Sequence, residues 1–225
     1  LGPSPMRSLP IAFVLLSYPA FVYFLKTNPR YRHWAYFFIG MLPFVVQVWN
    51  LDCAIINWST WLGYSKGVIL NVFDTLALAI VTTQRTPRGM PPLMGWVILY
   101  IAAVALAIAF ANLAMPAFFY FCQLLRFAVA LMAAAKIVGN PRALQWLGMG
   151  LACGMLYEFV VTANQKFHGA FQTPGTMEHQ NQLGMMTHFV ALPLLGMLLG
   201  GQRSRVLMLG VAASFPVVIF GASRA

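Results

Sequence analysis

Of the 225 residues, 60% are hydrophobic and only 8% are charged, which excludes a water-soluble fold of this size, since soluble domains run near ~25% charged. The solvent that suits such a chain is lipid, where a helix satisfies its own backbone hydrogen bonds. The net charge of +10 would suggest nucleic acid in a soluble protein. Here the Lys and Arg residues sit between apolar runs rather than along one face, so they read as the basic loops of a membrane protein, and no nucleic-acid partner is expected.

Residues Leu1–Pro5 carry no apolar pattern, read as a cloning or protease scar, and are set aside from the fold. The run that follows lacks a small-residue cleavage site and leads into a basic loop, as a first membrane helix does rather than a signal peptide. A crossing needs roughly 20 mostly apolar residues. By that measure the sequence predicts helices over about 8–25, 34–50, 67–83, 93–112, 116–137, 143–163, 182–200 and 206–221. Pro19, Pro43, Pro193 and Pro216 fall inside these runs and predict kinks, because neighbouring helices re-satisfy the freed backbone groups. The shorter, mixed segment 51–63, with Asp52, Asn57 and Trp58, reads as interfacial. The expected fold class is an all-α, polytopic membrane helix bundle of about eight transmembrane helices.

Loop charge gives an orientation. Lys26, Arg30 and Arg32, then Arg85 and Arg88, then Lys136 and Arg142, then Arg203 and Arg205 mark alternate loops. The other loops hold only Lys66 and Lys166, so the first set is expected on the cytoplasmic side. That places the N-terminus, the 51–66 loop, the 164–181 loop and Ser223-Arg224 outside.

Three ionisable residues fall within predicted spans: Asp74, Arg126 and Glu158. Charge in lipid is costly, so each is expected to face a partner or a wet cavity. One reading is a buried ion pair of Arg126 with Asp74 or Glu158; the other is a cavity lining. Cys53, Cys122 and Cys153 are far apart and predict no disulfide framework. The loop from Gln165 to Gly184 is punctuated by Gly169, Pro174 and Gly175 and ends in a polar cluster that opens a helix. A helix starting near Glu178 would put Asn181, Gly184, Met185 and His188 on one face. Residue types alone leave open whether Glu178, His179, Gln180 and Asn181 merely cap that helix or hold a sugar or diphosphate. His168, Glu178 and His179 match no zinc-type spacing, and no metal is expected.

The run His179-Gln180-Asn181-Gln182-Leu183-Gly184, followed about forty residues later by Ser223-Arg224-Ala225, resembles the O-antigen ligase and polymerase superfamily. The resemblance covers the whole chain in architecture and the last fifty residues in motif. It divides the chain into N-terminal helices over 6–163 and the start of a ligase-like domain over 164–225. It implies a glycan transferase of the bacterial inner membrane, active toward the periplasm. The donor would be a polyprenyl-diphosphate-linked glycan and the acceptor lipid A core in the surrounding membrane lipid, with no cofactor. It implies that Arg224 contacts the diphosphate, with Arg126 as a second contact and His179, Asn181 and Gln182 positioning substrate.

Family members are longer and carry a proposed catalytic histidine in a later periplasmic loop. The catalytic base is therefore unassigned here, and the sequence reads as part of a longer enzyme. Alternatives within the resemblance are an O-antigen polymerase or a protein O-oligosaccharyltransferase. Outside it stand a transporter or flippase subunit using Asp74, Arg126 and Glu158 as a path, and a structural membrane partner without activity. No internal repeat of the kind that builds many transporters is visible.

Overall fold

The computed structural model describes residues 5–58, 67–84, 91, 93–202 and 204–221, with side chains from Pro10 onward. Among the described residues there are eight α-helices: α1 (Pro5–Thr27), α2 (Arg32–Val45), α3 (Val72–Thr83), α4 (Met94–Ile108), α5 (Ala114–Val138), α6 (Pro141–Phe167), α7 (Gln180–Leu199) and α8 (Arg205–Gly221). Pro19, Pro43, Pro193 and Pro216 all lie inside helices, as the hydropathy reading places them. Four stretches are long and apolar enough to cross a membrane: Pro10–Thr27, Ala114–Val138, Pro141–Phe167 and Gln180–Leu199. The chain is a helical protein of membrane type. The other helices are shorter; α3, at 12 residues, reaches only ~18 Å at 1.5 Å per residue, against a hydrocarbon core of roughly 30 Å.

The expectation of a purely helical chain needs a correction. Residues 52–57 and 67–71 form an antiparallel pair, β1 (Asp52–Asn57) and β2 (Gly67–Asn71), in place of an irregular interfacial segment and the first turn of a helix at 67. The reason is local. Ile55, Ile56, Val68 and Ile69 are β-branched, and such residues favour a pleated ladder over a helix start. The helix then begins at a defined point: the Asn71 side chain accepts from Asp74 N while Asp74 accepts from Asn71 N, each at 2.9 Å. This reciprocal cap fixes Val72 as the first helical residue. Cys53 is buried in β1, and burial, then the neighbouring Asp52 charge, pushes its thiol above the usual range. All three cysteines are free thiols.

The chain divides into two compact units that do not follow chain order: residues 1–29 with 51–139, and residues 30–50 with 140–225. In the first unit α1 packs on α3, and α5 packs on α3 and α4. Ser17 Oγ and Thr75 Oγ1 lie 2.6 Å apart across the α1–α3 seam. Lys136 donates to Val81 O at 2.6 Å, holding a cation against the carbonyl end of α3. In α4 only Met94 is buried; Trp96 is 72% and Leu106 is 66% exposed, a surface that lipid accommodates and water does not.

The second unit is assembled on the small residues of α6. Gly150-x-x-x-Gly154 gives α6 a face without side chains, against which α2 lies: a Cβ on Gly150 would overlap Phe37 O, and one on Gly154 would overlap the Phe44 ring. Small residues at this spacing let membrane helices approach by backbone contact. On another side, a Cβ added to Gly210 of α8 would lie 2.6 Å from Ala152 Cβ. The order of contacts shows direction. Along α6, Trp146 meets His33 and Trp34, Gly150 meets Gly40, and Gly154 meets Phe44; Gly148 and Ala152 meet Leu207 and Gly210. Helices α2, α6 and α8 are therefore parallel. Helix α7 runs against them, since Leu183 approaches Gly221, Leu194 approaches Gly210 and Met197 approaches Gly148.

Candidate functional site

The parallel arrangement puts the C-terminal ends of α2, α6 and α8 and the start of α7 at one end of the second unit. The loop 168–179 crosses that end, and α6 holds it down. Glu158, fully buried, accepts the Thr176 backbone N–H at 3.1 Å and the Thr176 hydroxyl. Seven residues on, and so on the same face of α6, the Gln165 amide clasps Gly175 from both sides. Its Nε2 donates to Gly175 O at 2.8 Å and its Oε1 accepts from Gly175 N at 3.0 Å. Gly175 is the residue this geometry requires, with φ +65° and with its missing Cβ pointed at the Glu158 carboxylate. Thr173 is completely buried, and its hydroxyl has no hydrogen-bond partner among the described residues.

The loop delivers the chain to α7. His179 is the N-cap, with its Nδ1 accepting from Asn181 N at 3.2 Å. A neutral ring that accepts at Nδ1 carries its proton on Nε2 and so offers a donor to the exterior. Asn181 and Gln182 are exposed just inside the helix, while Leu183 and Gly184 are buried. Asn181, Gly184, Met185 and His188 follow one another at the spacing of a single helix face, with Gly184 at its inner edge. α7 starts at Gln180, two residues later than expected; Asn181, Met185 and His188 are exposed, and the buried Gly184 accepts from His188 Nδ1 at 2.7 Å.

Leu183 also meets the end of α8. A Cβ on Gly221, the last residue of α8, would lie 3.9 Å from Leu183 Cδ2 and 3.7 Å from Thr173 O. Ser223 and Arg224 lie outside the described residues, as do Lys66, Arg85, Arg88 and Arg203.

No known family model, curated protein or solved structure matches the chain.

Arg126 belongs to the first unit. Its Nε donates to Asp74 Oδ2 at 2.9 Å, with both side chains mostly buried. Of the two ion pairs left open by the sequence, Arg126 with Asp74 is the one that forms, and Glu158 is occupied by Thr176. His168 Nδ1 lies 2.8 Å from Asn164 O at the end of α6. Among the described residues no group of three or more His, Cys, Asp or Glu could hold a metal ion.

The contribution of Gln165, Gly175 and Thr176 is not read from the sequence, where they appear as ordinary loop polar residues. The available signal is the seven-residue spacing of Glu158 and Gln165, combined with a Pro-Gly turn able to fold back on them.

Proposed function

We propose that this chain is the membrane part of a glycan transferase of the O-antigen ligase type, lying in the bacterial inner membrane with about eight crossings. Its N-terminus and the 164–181 loop face the periplasm. The supporting observation is the approach of Leu183 to Gly221, which gathers the start of α7 and the end of α8 beside one clamped loop.

In this reading the bond between the anomeric carbon of the glycan and its polyprenyl diphosphate breaks, and a new glycosidic bond forms to a hydroxyl of lipid A core. Negative charge grows on the leaving diphosphate, and Arg224 supplies the counter-charge with a planar, two-donor fork. The Nε2–H of His179 and the side-chain amides of Asn181 and Gln182 orient the sugar or phosphate at the rim. The base that takes the acceptor proton is assigned to none of these residues. The same site serves a polymerase or a protein O-oligosaccharyltransferase equally well, since those differ in the acceptor. The Asp74–Arg126 pair, set among apolar helices, favours the transporter or flippase as the reading of a different class.

The test is complementation. In a strain lacking the gene, the Asn181→Ala and Arg224→Ala alleles, present in the membrane at normal levels, are expected to leave surface polysaccharide unrestored. Full restoration by both would remove the site from the account.

A further inference from the structure

The opposite end of the second unit carries a different chemistry. Because α2, α6 and α8 are parallel, their N-termini lie together there, and each begins with arginine: Arg30 and Arg32 at the start of α2, Arg142 in the first turn of α6 and Arg205 at the start of α8. Arg30, Arg142 and Arg205 are exposed. The chain has four acidic residues in all, and this unit carries none of them at this end. Glu158 and Glu178 belong to the far end of this unit, and Asp52 and Asp74 to the other unit. Helix dipoles add to the same sign, since three positive ends point one way.

An aromatic cluster sets the level of this end. The His33 ring lies 4.4 Å from Trp146 and 5.7 Å from Trp34, and the two indoles are 5.5 Å apart. His33 Nδ1 is 2.9 Å from Arg30 O, so the stack ties Arg30 and the first turn of α2 to the second turn of α6, one turn along from Arg142. Tryptophans gathered at helix ends sit at the headgroup level of a bilayer. The first-turn amides of α6 are already taken by Asn140, whose Oδ1 accepts from Arg142 N at 3.0 Å and Ala143 N at 3.4 Å. Anion contact there falls to the arginine side chains rather than to the backbone.

We propose that this end of the second unit is a binding surface for anionic phospholipid headgroups, with Arg30, Arg142 and Arg205 contacting their phosphates around the His33–Trp34–Trp146 stack. The occupant is a lipid rather than a soluble anion because the tryptophans place the arginines at headgroup depth, where phosphates are already concentrated. The surface is independent of the transferase reading, since it uses no residue of that site.

The experiment is native mass spectrometry of the full chain released from mixed micelles of phosphatidylglycerol and phosphatidylcholine, counting the lipids retained. The wild type is expected to retain phosphatidylglycerol preferentially. Each Arg→Gln change should weaken that retention roughly fivefold, the effect of one basic residue at an anionic surface. The triple variant R30Q/R142Q/R205Q should show no preference, whereas R30K/R142K/R205K should keep it, and Lys166→Gln at the other end should change nothing. If the triple variant does not fold, the three single variants decide by the same ratio. An equal retention of both lipids by the wild type, or an undiminished preference in the Gln variants, would overturn the proposal.

Discussion

Replacing Gly175 by alanine should open the loop that covers the candidate site. Two costs add. A non-glycine residue in the left-handed region, where Gly175 sits at φ +65°, costs ~1–2 kcal/mol. The new Cβ would also overlap the Glu158 carboxylate, so the loop must shift and lose either the Gln165 clasp or the Thr176 bonds to Glu158. At a net ~0.5–1.5 kcal/mol per hydrogen bond, losing one or two adds about 1–2 kcal/mol. The sum, roughly 2–4 kcal/mol, raises the open population roughly 30- to 700-fold at about tenfold per 1.4 kcal/mol. A cysteine at position 173 reports it, because Thr173 is fully buried and its hydroxyl has no hydrogen-bond partner among the described residues. With Cys53, Cys122 and Cys153 replaced, the thiol labelling rate of Thr173→Cys is measured with and without Gly175→Ala. Gly169→Ala is the control, since Gly169 has φ +86° but open space around it; it carries strain alone, worth at most roughly 30-fold. Equal labelling in the Gly175→Ala and unmodified backgrounds would refute the clamp.

Three further outcomes are expected. Asp74→Leu and Arg126→Leu should each destabilise by about 2–4 kcal/mol, because each strands a mostly buried charge, while the double variant should recover much of the loss; thermal unfolding in detergent reads the cycle, and additive losses would contradict the pairing. Gly150→Leu should sharply reduce the yield of folded protein, since a side chain there collides with the Phe37 carbonyl that seats α2 on α6; normal size-exclusion behaviour would contradict the backbone contact. For orientation, Ala170→Cys should be labelled in intact cells by a membrane-impermeant thiol reagent and Pro87→Cys should not; the reverse pattern would invert the topology.

Helices were legible in the sequence because lipid imposes a simple demand, an apolar run whose backbone bonds close on themselves. Their ends were less so. The start of α3 was set by the reciprocal cap of Asn71 and Asp74, two ordinary polar residues in a row of apolar ones, and β1 found β2 across residues that hydropathy does not link. The division into two units was hidden for a related reason: α2 lies on α6, about a hundred residues later, and hydrophobic runs do not state their partners. Gly150-x-x-x-Gly154 is the one signal in the sequence that points to that seam. At the candidate site, His179, Asn181 and Gln182 stood out as a polar cluster opening an apolar helix. The clasp of Gln165 on Gly175 did not, because a single amide meeting a turn has no periodicity.

The central claim is that this chain serves a transferase that moves a lipid-linked glycan in the outer leaflet. The most direct measurement is made on a strain lacking the intact gene, with polysaccharide quantified separately on lipid A and on the polyprenyl carrier. The account predicts long polymer accumulating on the carrier and none on lipid A. Normal polymer on lipid A would contradict it.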